Sequence, residues 1–311
     1  MNTLHLKYVV EIERAGSITK AAENLYMNQP NLSKTLRELE ESLDIVIFKR
    51  TPKGMLPTKK GREFLAYAKN ILTQLEKMEN LLCDEEERPV SFDIAVPRAS
   101  YIARAFTEFV ASLPEERAAK IDYRETNSLR TIRDVADGEN NLGVIRFHAD
   151  YEGYYDNVLA EKNLVGEVVL DFEYLVLASS ESPLAQSEVV DCTKLGAFIE
   201  ITHGDSRVPT LQGARVPYSD DSEKKRREIA IYERGSQLEL LQRIPATYMW
   251  VSPMPQETMD TFSLMQRRSN MPNNRHIDML IYRKGQHLSP EDALFVEKLS
   301  DVVEAVGKTA P

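Results

Sequence analysis

The sequence predicts three parts: an all-α head of the winged helix-turn-helix type, a linker helix, and an α/β body of two Rossmann-like lobes. Three observations support this prediction. Leucines recur at 4-3-4 spacing in residues 32–43, a coiled-coil spacing follows residue 60, and strand and helix patterns alternate after residue 90. At 311 residues the chain is too long for one ordinary hydrophobic core, so several packed units are expected.

Charge is divided unevenly along the chain. Residues 1–62 hold 11 Lys and Arg against 7 Asp and Glu, a net charge of +4, and because the whole chain carries −10, the other 249 residues carry −14. Lys and Arg contacts to phosphate supply most of the sequence-independent affinity for DNA. A basic head on an acidic body therefore predicts that the head binds double-stranded DNA.

Composition argues against several classes of protein. No run of about 18 uncharged apolar residues occurs, and Glu11, Glu13 and Arg14 interrupt the segment where a signal peptide needs apolar residues. Cys83 and Cys192 are far apart, so we expect neither a disulfide framework nor a thiolate zinc site. These features predict a cytoplasmic protein with no membrane partner.

The head begins with two short predicted helices. Apolar residues at positions 6, 9 and 10 precede Gly16, which is a helix stop. Ser17 is a good N-cap for a second helix over residues 18–25, whose paired alanines allow another helix to approach closely. Tyr26 and Met27 form the turn that leads into a third helix.

The third helix is predicted to carry the residues that read DNA. It opens near Pro30, and its leucines face the core. Gln reaches adenine edges, and Arg and Lys reach guanine or phosphate, from a helix that fits the major groove. An ordinary solvated helix face is the alternative, which the neighbouring helix and a basic hairpin disfavour. The polar residues on or near the side opposite the leucines are Gln29, Asn31, Ser33, Lys34 and Arg37.

A basic hairpin is predicted over residues 46–61. A short apolar strand, a Pro/Gly turn and a second short strand hold five basic residues and no acidic ones. Such a wing lies along the DNA backbone or minor groove, with Arg50, Lys53, Lys59 and Lys60 as phosphate contacts. The predicted DNA-binding set is Ser17, Thr19, Gln29, Pro30, Asn31, Ser33, Lys34, Arg37, Arg50 and Lys53.

A long helix is predicted from Gly61 to Leu82, with Thr58 as its cap. We expect its apolar stripe to pair two subunits; packing of the stripe on its own domain is the alternative. A twofold dimer places two reading helices in successive major grooves and so binds an inverted-repeat operator. The residues of the stripe, at coiled-coil spacing, are Phe64, Ala68, Ile71, Leu75, Met78 and Leu82.

The body begins after a charge run and a proline at 84–89. Two successive sets of strand and helix patterns indicate two α/β lobes, each with a mostly parallel sheet. The predicted strands are 92–96, 120–125, 143–147, 167–170, 174–177, 198–201, 229–232, 248–251 and 276–282. The predicted domains are 1–60, 61–88 and 89–311, with lobe I at about 90–163 plus 268–311 and lobe II at about 164–267.

The N-terminal residues resemble the LysR-type transcriptional regulators. The resemblance rests on Gly16 to Thr19, Ala21 and Ala22, Leu25, Asn28 to Ser33, Leu39 and Glu40, Leu43, Ile47 to Arg50 and Thr58 to Gly61. It implies a transcription regulator that forms dimers or tetramers, with an effector-binding body resembling periplasmic binding proteins and RNA polymerase as a further candidate partner. Asp44 stands where the family usually has glycine, and Asn28 where it usually has serine; both residues tolerate those positions.

The resemblance also implies where an effector binds. In the family a small molecule, often a carboxylate, lies between the lobes against the turn after the first strand and the loop after the second. A helix N-terminus with free N–H groups independently suits an anion, and Arg146 at a strand end is a candidate for the charge. The predicted effector-binding set is Arg98, Ser100, Tyr101, Asn127, Ser128, Arg146, Thr202 and His203.

Three other functions are disfavoured. The common catalytic and nucleotide-binding motifs are absent and the five histidines are scattered, so no catalytic residue, metal site or cofactor is predicted. A ligand-independent architectural DNA-binding protein would not need an α/β body of about 220 residues. A redox sensor would need a thiol pair. We therefore expect an anionic effector to shift the lobes and so reposition the paired DNA-binding heads.

Overall fold

The chain forms two compact units. The computed structural model describes residues 2–52, 54–80, 88–204 and 227–309. Within these ranges, no helix has the length and apolar character that crossing a membrane requires. Unit 1 comprises Met1–Val90, Arg117–Lys120 and Arg133–Asn140, and unit 2 comprises Ser91–Glu116, Ile121–Ile132 and Asn141–Pro311.

Unit 1 contains the predicted head. Its three short helices bury one apolar core, to which α1 contributes Leu6, Val9 and Ile12 and α3 contributes three leucines, 32, 36 and 39. The helix-turn-helix predicted from apolar spacing is confirmed. The elements in chain order are α1 (Thr3–Ala15), α2 (Ile18–Asn24), α3 (Gln29–Leu43), β1 (Phe48–Thr51), β2 (Gly54–Pro57) and α4 (Lys59–Asn80).

The helix ends follow the predicted stop and cap residues, with one difference. Gly16 ends α1 in the left-handed region at φ 61°, and Asp44 ends α3 there at φ 52°. The Ser17 hydroxyl accepts from the Lys20 N–H at 3.5 Å at the start of α2. Asn28 occupies the N-cap position of α3, but its side chain makes no capping hydrogen bond.

The wing is an antiparallel β1–β2 hairpin fixed to the helices by backbone contacts. Glu40 of α3 accepts from the N–H groups of Ile47 at 2.6 Å and Phe48 at 3.1 Å. Gly54 has φ 107°, and a Cβ there would lie 2.4 Å from the Gly16 carbonyl oxygen. Only glycine fits this close approach, so the position of the wing depends on it.

The apolar stripe predicted on α4 divides between two surroundings. Phe64 and Ala68 pack into the core of the head, because this half of the helix lies against α1. Ile71 and Met78 are 42% and 55% exposed. The prediction that the whole stripe faces a second subunit is therefore wrong for its first half; Leu82 lies outside the described residues.

The rest of the chain alternates strands and helices. Helix α10 packs on α5, and both cover a sheet whose core includes Phe92 and Phe295, with ring centroids 5.1 Å apart. The elements are β3 (Val90–Val96), α5 (Ser100–Ala111), β4 (Ala119–Glu125), α6 (Ser128–Ala136), β5 (Leu142–His148), α7 (Glu152–Glu161), β6 (Leu164–Glu173), β7 (Leu175–Ser179), β8 (Val189–Val190), β9 (Ile199–His203), β10 (Arg227–Ile231), α8 (Gly235–Arg243), β11 (Thr247–Val251), α9 (Gln256–Thr261), β12 (Leu264–Ser269), β13 (Arg275–Arg283) and α10 (Pro290–Thr309).

Two mixed sheets organise these strands. The five-stranded sheet has the order β4-β3-β5-β13-β6, and the six-stranded sheet has the order β10-β9-β11-β7-β12-β8. Strand β13 runs antiparallel to β5 and β6, and β7 runs antiparallel to β11 and β12. We call the first sheet with α5, α7 and α10 lobe I, and the second sheet with α8 and α9 lobe II.

The predicted lobe boundaries need correction. Strand β6, assigned to lobe II from sequence, pairs along its length with β13 and so belongs to lobe I. The chain passes between the sheets at Tyr174 and again between Ser269 and Arg275, later than the predicted positions 164 and 268. The sequence predicted mostly parallel sheets, but both sheets are mixed. The strands next to these crossings, β6, β7 and β13, pair antiparallel with neighbouring strands.

Candidate nucleic-acid interface and ligand site

Helix α3 presents a polar ridge on the side opposite its buried leucines. Its exposed residues are Pro30, Asn31, Lys34 and Arg37, while Gln29 and Ser33 are partly exposed. Lys34 lies 3.7 Å from Glu38, but both side chains are well exposed, so this ion pair contributes little to stability. The ridge therefore offers hydrogen-bonding and cationic groups on a rigid helix thin enough for a major groove.

The remaining predicted DNA contacts lie on the neighbouring elements. Thr19 is exposed on α2, and Ser17 caps that helix. Arg50 is exposed on the wing strand β1. Lys53 lies outside the described residues.

The candidate ligand site of the body lies where the start of α5 meets the turn before α8. Arg98 lies 3.8 Å from the Glu125 carboxylate, measured from its Nε. Arg234, at the start of α8, donates one hydrogen bond to the same carboxylate and another to the Ser100 hydroxyl at 3.0 Å. Two predicted residues, Arg98 and Ser100, thus meet one residue from each lobe that was not predicted, Glu125 and Arg234.

Arg234 had a usable signal in the sequence. It follows strand β10 and opens helix α8, which is the same strand-turn-helix pattern that pointed to Arg98 and Ser100. The two helix starts differ in chemistry. Glu233 bonds the N–H groups of Gly235 and Ser236 and so occupies the start of α8, whereas Ala99 at the N-cap of α5 has no side-chain group for that role.

Arg146, the ligand cation that the sequence suggested, is paired with a carboxylate inside lobe I. Its guanidinium forms two hydrogen bonds with Asp278, at 2.7 and 2.6 Å, and is 11% exposed, while Asp278 is fully buried. Burial opposes the charge on Arg146, but Asp278 raises its pKa well above the usual value. Because Asp278 neutralises this charge inside lobe I, the geometry supports a structural role for Arg146, and its contact to an effector stays a prediction.

Tyr101 belongs to the same internal network. It is completely buried, and its hydroxyl donates to Asp278 at 2.5 Å. Burial, together with the Asp278 charge, raises the pKa of Tyr101 well above 10. A side chain with no exposed surface offers no contact to a ligand, so the geometry does not support this predicted contact.

Asn127 and Ser128 shape the loop after β4. Asn127 accepts from the Arg130 N–H at 3.0 Å and so caps α6. The Ser128 hydroxyl accepts from the backbone N–H of Arg146 at 3.0 Å and donates to its carbonyl oxygen at 2.7 Å. These bonds hold the loop on β5, which leaves the polar groups of the serine occupied.

The predicted residues of lobe II lie at the end of β9. Thr202 donates to Glu228 on the neighbouring strand at 2.7 Å, and His203 is partly buried. Residues 205–226, which follow β9, lie outside the described residues. Within the described ranges, no three His, Cys, Asp or Glu side chains are grouped as a metal site requires.

A second polar cluster lies at the crossings between the lobes. His148 bonds the Asn273 carbonyl oxygen at 2.6 Å, and its ring centroid is 5.1 Å from that of His276. Asn274 donates to the Tyr174 carbonyl oxygen at 2.7 Å, which ties the two crossing segments together. Burial lowers the pKa of His276 to about 4, so its ring is neutral near pH 7.

Comparison with known proteins gives a family match for the head. Residues 4–62 match the family described as bacterial regulatory helix-turn-helix protein, LysR family. The nitrogen assimilation regulatory protein Nac of Escherichia coli (strain K12) is 40% identical over 176 residues, 53% of this chain and 54% of the relative. The first curated relatives are matched over 58%, 25% and 40% of their own lengths, so the chain spans less than two thirds of each.

Solved structures match nearly the whole chain. ArgP from Mycobacterium tuberculosis has a TM-score of 0.62 at 16% identity, and the match covers 96% of both chains. Full-length LysG from Corynebacterium glutamicum, with its effector arginine bound, has a TM-score of 0.59 at 17% identity and covers 98% of both chains. At such identities the likeness concerns the fold, which agrees with the predicted head and α/β body.

Proposed function

We propose that the chain is a LysR-type transcriptional regulator, as the family match of residues 4–62 and the likeness to Nac support, and that it binds an inverted-repeat operator as a homo-oligomer under the control of a small effector. The polar ridge of α3 carries the proposal for DNA. Its side chains are presented opposite three buried leucines, in a head of net charge +4. This function places the protein in the cytoplasm, with RNA polymerase as a further partner.

In this proposal Gln29 and Arg37 read base edges, and Arg50 and Lys53 contact phosphate. The 311-residue chain can be used to select the duplexes that it binds from a random pool. The selected sequence then serves as the operator, so no target sequence is needed in advance. We expect Gln29→Ala to lose about 1–3 kcal/mol of discrimination at one base pair, because a bidentate contact to a base edge is removed.

Fluorescence anisotropy with the selected duplex and with single mismatches measures that discrimination. Arg14→Ala is the matched control, since Arg14 is an exposed residue of the head on α1 and pairs with Glu11. Unchanged discrimination by Gln29→Ala and by Arg37→Ala would remove α3 from the proposal.

We further propose that α4 pairs the subunits through its exposed apolar residues. Tyr67, Ile71 and Met78 are 71%, 42% and 55% exposed, and they recur on one face of the helix. Ile71→Glu buries an unpaired charge in such an interface, so we expect association to weaken about tenfold or more, as measured by sedimentation. Ile71→Met keeps the apolar area and should associate normally; equal behaviour of the two variants contradicts the assignment.

The proposed effector is a small anion bound at the start of α5, close to Arg98 and Ser100. The likeness to LysG, which is described with arginine as its effector, supports a small-molecule site in this fold. A thermal-shift screen of carboxylates and amino acids identifies ligands of the full chain. DNase footprints with and without a ligand found in this screen should then differ in extent. Identical footprints would contradict effector control and leave the proposed DNA binding unaffected.

A further inference from the structure

The Glu125 carboxylate lies beside two arginines, one of which also bonds a serine hydroxyl. Arg98 approaches it to 3.8 Å from lobe I, and Arg234 bonds it from lobe II while also bonding Ser100. The side chains of Arg98, Glu125 and Arg234 are only 16%, 17% and 26% exposed. This is a partly desolvated site, in which charge-assisted hydrogen bonds are stronger than on an open surface.

The groups around Glu125 are those that bind a carboxylate ligand. A guanidinium presents a planar pair of donors that matches a carboxylate, and a helix N-terminus adds N–H groups and a favourable dipole. Helix α5 begins at Ser100, and its N-cap residue Ala99 provides no capping side chain. Glu233 fills the corresponding place at α8, so of these two helix starts only that of α5 lacks a local carboxylate.

We propose that Glu125 is a tethered occupant of a carboxylate-binding site, and that the carboxylate of the effector displaces it. This inference rests on the proposed effector control and specifies its chemistry. Arg98 and Arg234 both lie against the Glu125 carboxylate, so a carboxylate in its place meets two guanidinium groups. The incoming carboxylate takes over the bonds of Glu125 to Arg234, and Glu125 turns towards solvent.

Competition with a tethered group sets the affinity of the site. A side chain held beside its partners has an effective concentration in the millimolar range or above, which a free ligand must exceed. Removing the Glu125 charge therefore strengthens carboxylate binding, whereas removing Arg234 abolishes it. If Glu125 were only part of a structural ion pair between the lobes, removing its charge would lower the stability of the chain, and no small anion would restore it.

A second ion pair between the lobes supplies a matched control. Arg104 of α5 lies 2.6 Å from Glu257 of α9, with 40% and 70% of the two side chains exposed. Glu257→Gln removes one carboxylate from an interlobe pair, as Glu125→Gln does, but Glu257 pairs with Arg104 and not with Arg234, the residue that bonds Ser100 at the start of α5. The two variants therefore differ in the carboxylate site and share the loss of a contact between lobes.

The experiment measures the Tm of the full chain with acetate, with acetamide as a neutral analogue and chloride at equal ionic strength. We expect acetate to raise the Tm of Glu125→Gln and Glu125→Ala by about 2–4 °C more than that of the wild type. The Glu257→Gln variant should follow the wild type, and adding Arg234→Gln to Glu125→Gln should remove the gain.

Equal acetate shifts in the wild type, Glu125→Gln and Glu257→Gln would overturn the proposal, as would a gain that survives loss of Arg234. If Glu125→Ala fails to fold, Glu125→Gln decides alone, because the amide keeps the size of the side chain. Binding of the wild type to its selected operator is measured on the same preparation. If the wild type binds DNA but acetate gives no additional Tm gain in Glu125→Gln, the inference about Glu125 is wrong and the proposed DNA-binding function is unaffected.

Discussion

On α3, polar side chains extend into solvent from a helix whose other face is buried, whereas in lobe I polar side chains are bonded to one another. Lys34 and Arg37 are exposed on the head. Arg146 has comparable chemistry, but it is held by Asp278 and covered by the rings of Phe172 and Tyr174, at 4.9 and 5.6 Å. The same residue type is therefore available for binding in one region and structural in the other.

The difference shows that a residue type indicates a binding site only when its partners are known. On a surface helix the periodicity settles both which residues are exposed and which are buried. In the body, strands distant in sequence bring together the counterions, so an arginine at a strand end is either a ligand contact or half of an internal pair. Mutations in the two regions should accordingly affect different properties.

The largest expected effect concerns stability and comes from Asp278. Asp278→Ala leaves Arg146 buried without its counterion and Tyr101 without its acceptor, so we expect a loss of about 3–5 kcal/mol in urea denaturation followed by circular dichroism. Asp171→Ala is the control, because the Asp171–Arg275 pair is largely exposed, and it should cost less than about 1 kcal/mol. Similar losses in the two variants would contradict the structural role assigned to the Arg146–Asp278 pair.

An effect of about 3 kcal/mol is expected from His276 as the pH changes. Its pKa is about 4 in the folded chain and about 6.5 in the unfolded chain, so the unfolded state gains a proton first as the pH falls. The contribution is complete above pH 6.5 and is lost progressively between pH 6.5 and pH 4. His148 and Arg146 also disfavour a proton on His276, while Asp278 favours one.

Urea denaturation across this pH range tests the assignment. His276→Gln should flatten the acid loss of stability, whereas His287→Gln, at an exposed position, should leave it unchanged. An unchanged pH profile in His276→Gln would show that His276 is not the group responsible.

The smallest expected effect concerns the head and affects binding rather than stability. Arg50→Ala removes one exposed cation from the wing, so matched and mismatched duplexes should both be bound about three- to tenfold more weakly. The slope of log affinity against log salt should fall by about one, as measured by anisotropy at several salt concentrations. A selective loss for the matched duplex alone would move Arg50 from phosphate contact to base reading.

Several elements were predictable and several were not, for local reasons. Strand β3 follows a clear apolar pattern and was predicted as strand 92–96. Strand β12 was missed because it contains Gln266, Arg267 and Arg268, which do not have the apolar alternation of a strand. Gln266 is nevertheless buried, and its side-chain oxygen accepts from the Met254 N–H at 3.0 Å, a partner that the sequence does not reveal.

The α4 stripe illustrates the same limit at the level of faces. Its coiled-coil spacing is present in the sequence, but a spacing states only that residues share a face and not which surface covers it. Here the packing against α1 takes Phe64 and Ala68 and leaves Ile71 and Met78 exposed.

By itself the sequence determined the head and the polar ridge of α3, because helical periodicity, caps and turns depend on neighbours a few residues apart. The contrast in net charge between head and body follows from composition alone. Only the tertiary structure decided which polar residues of the body are paired with one another. Arg146 meets Asp278 across 132 positions of sequence, and Arg234 meets Glu125 across 109. Such ion pairs form when folding brings distant segments together, so no local pattern distinguishes a buried partner from a ligand contact.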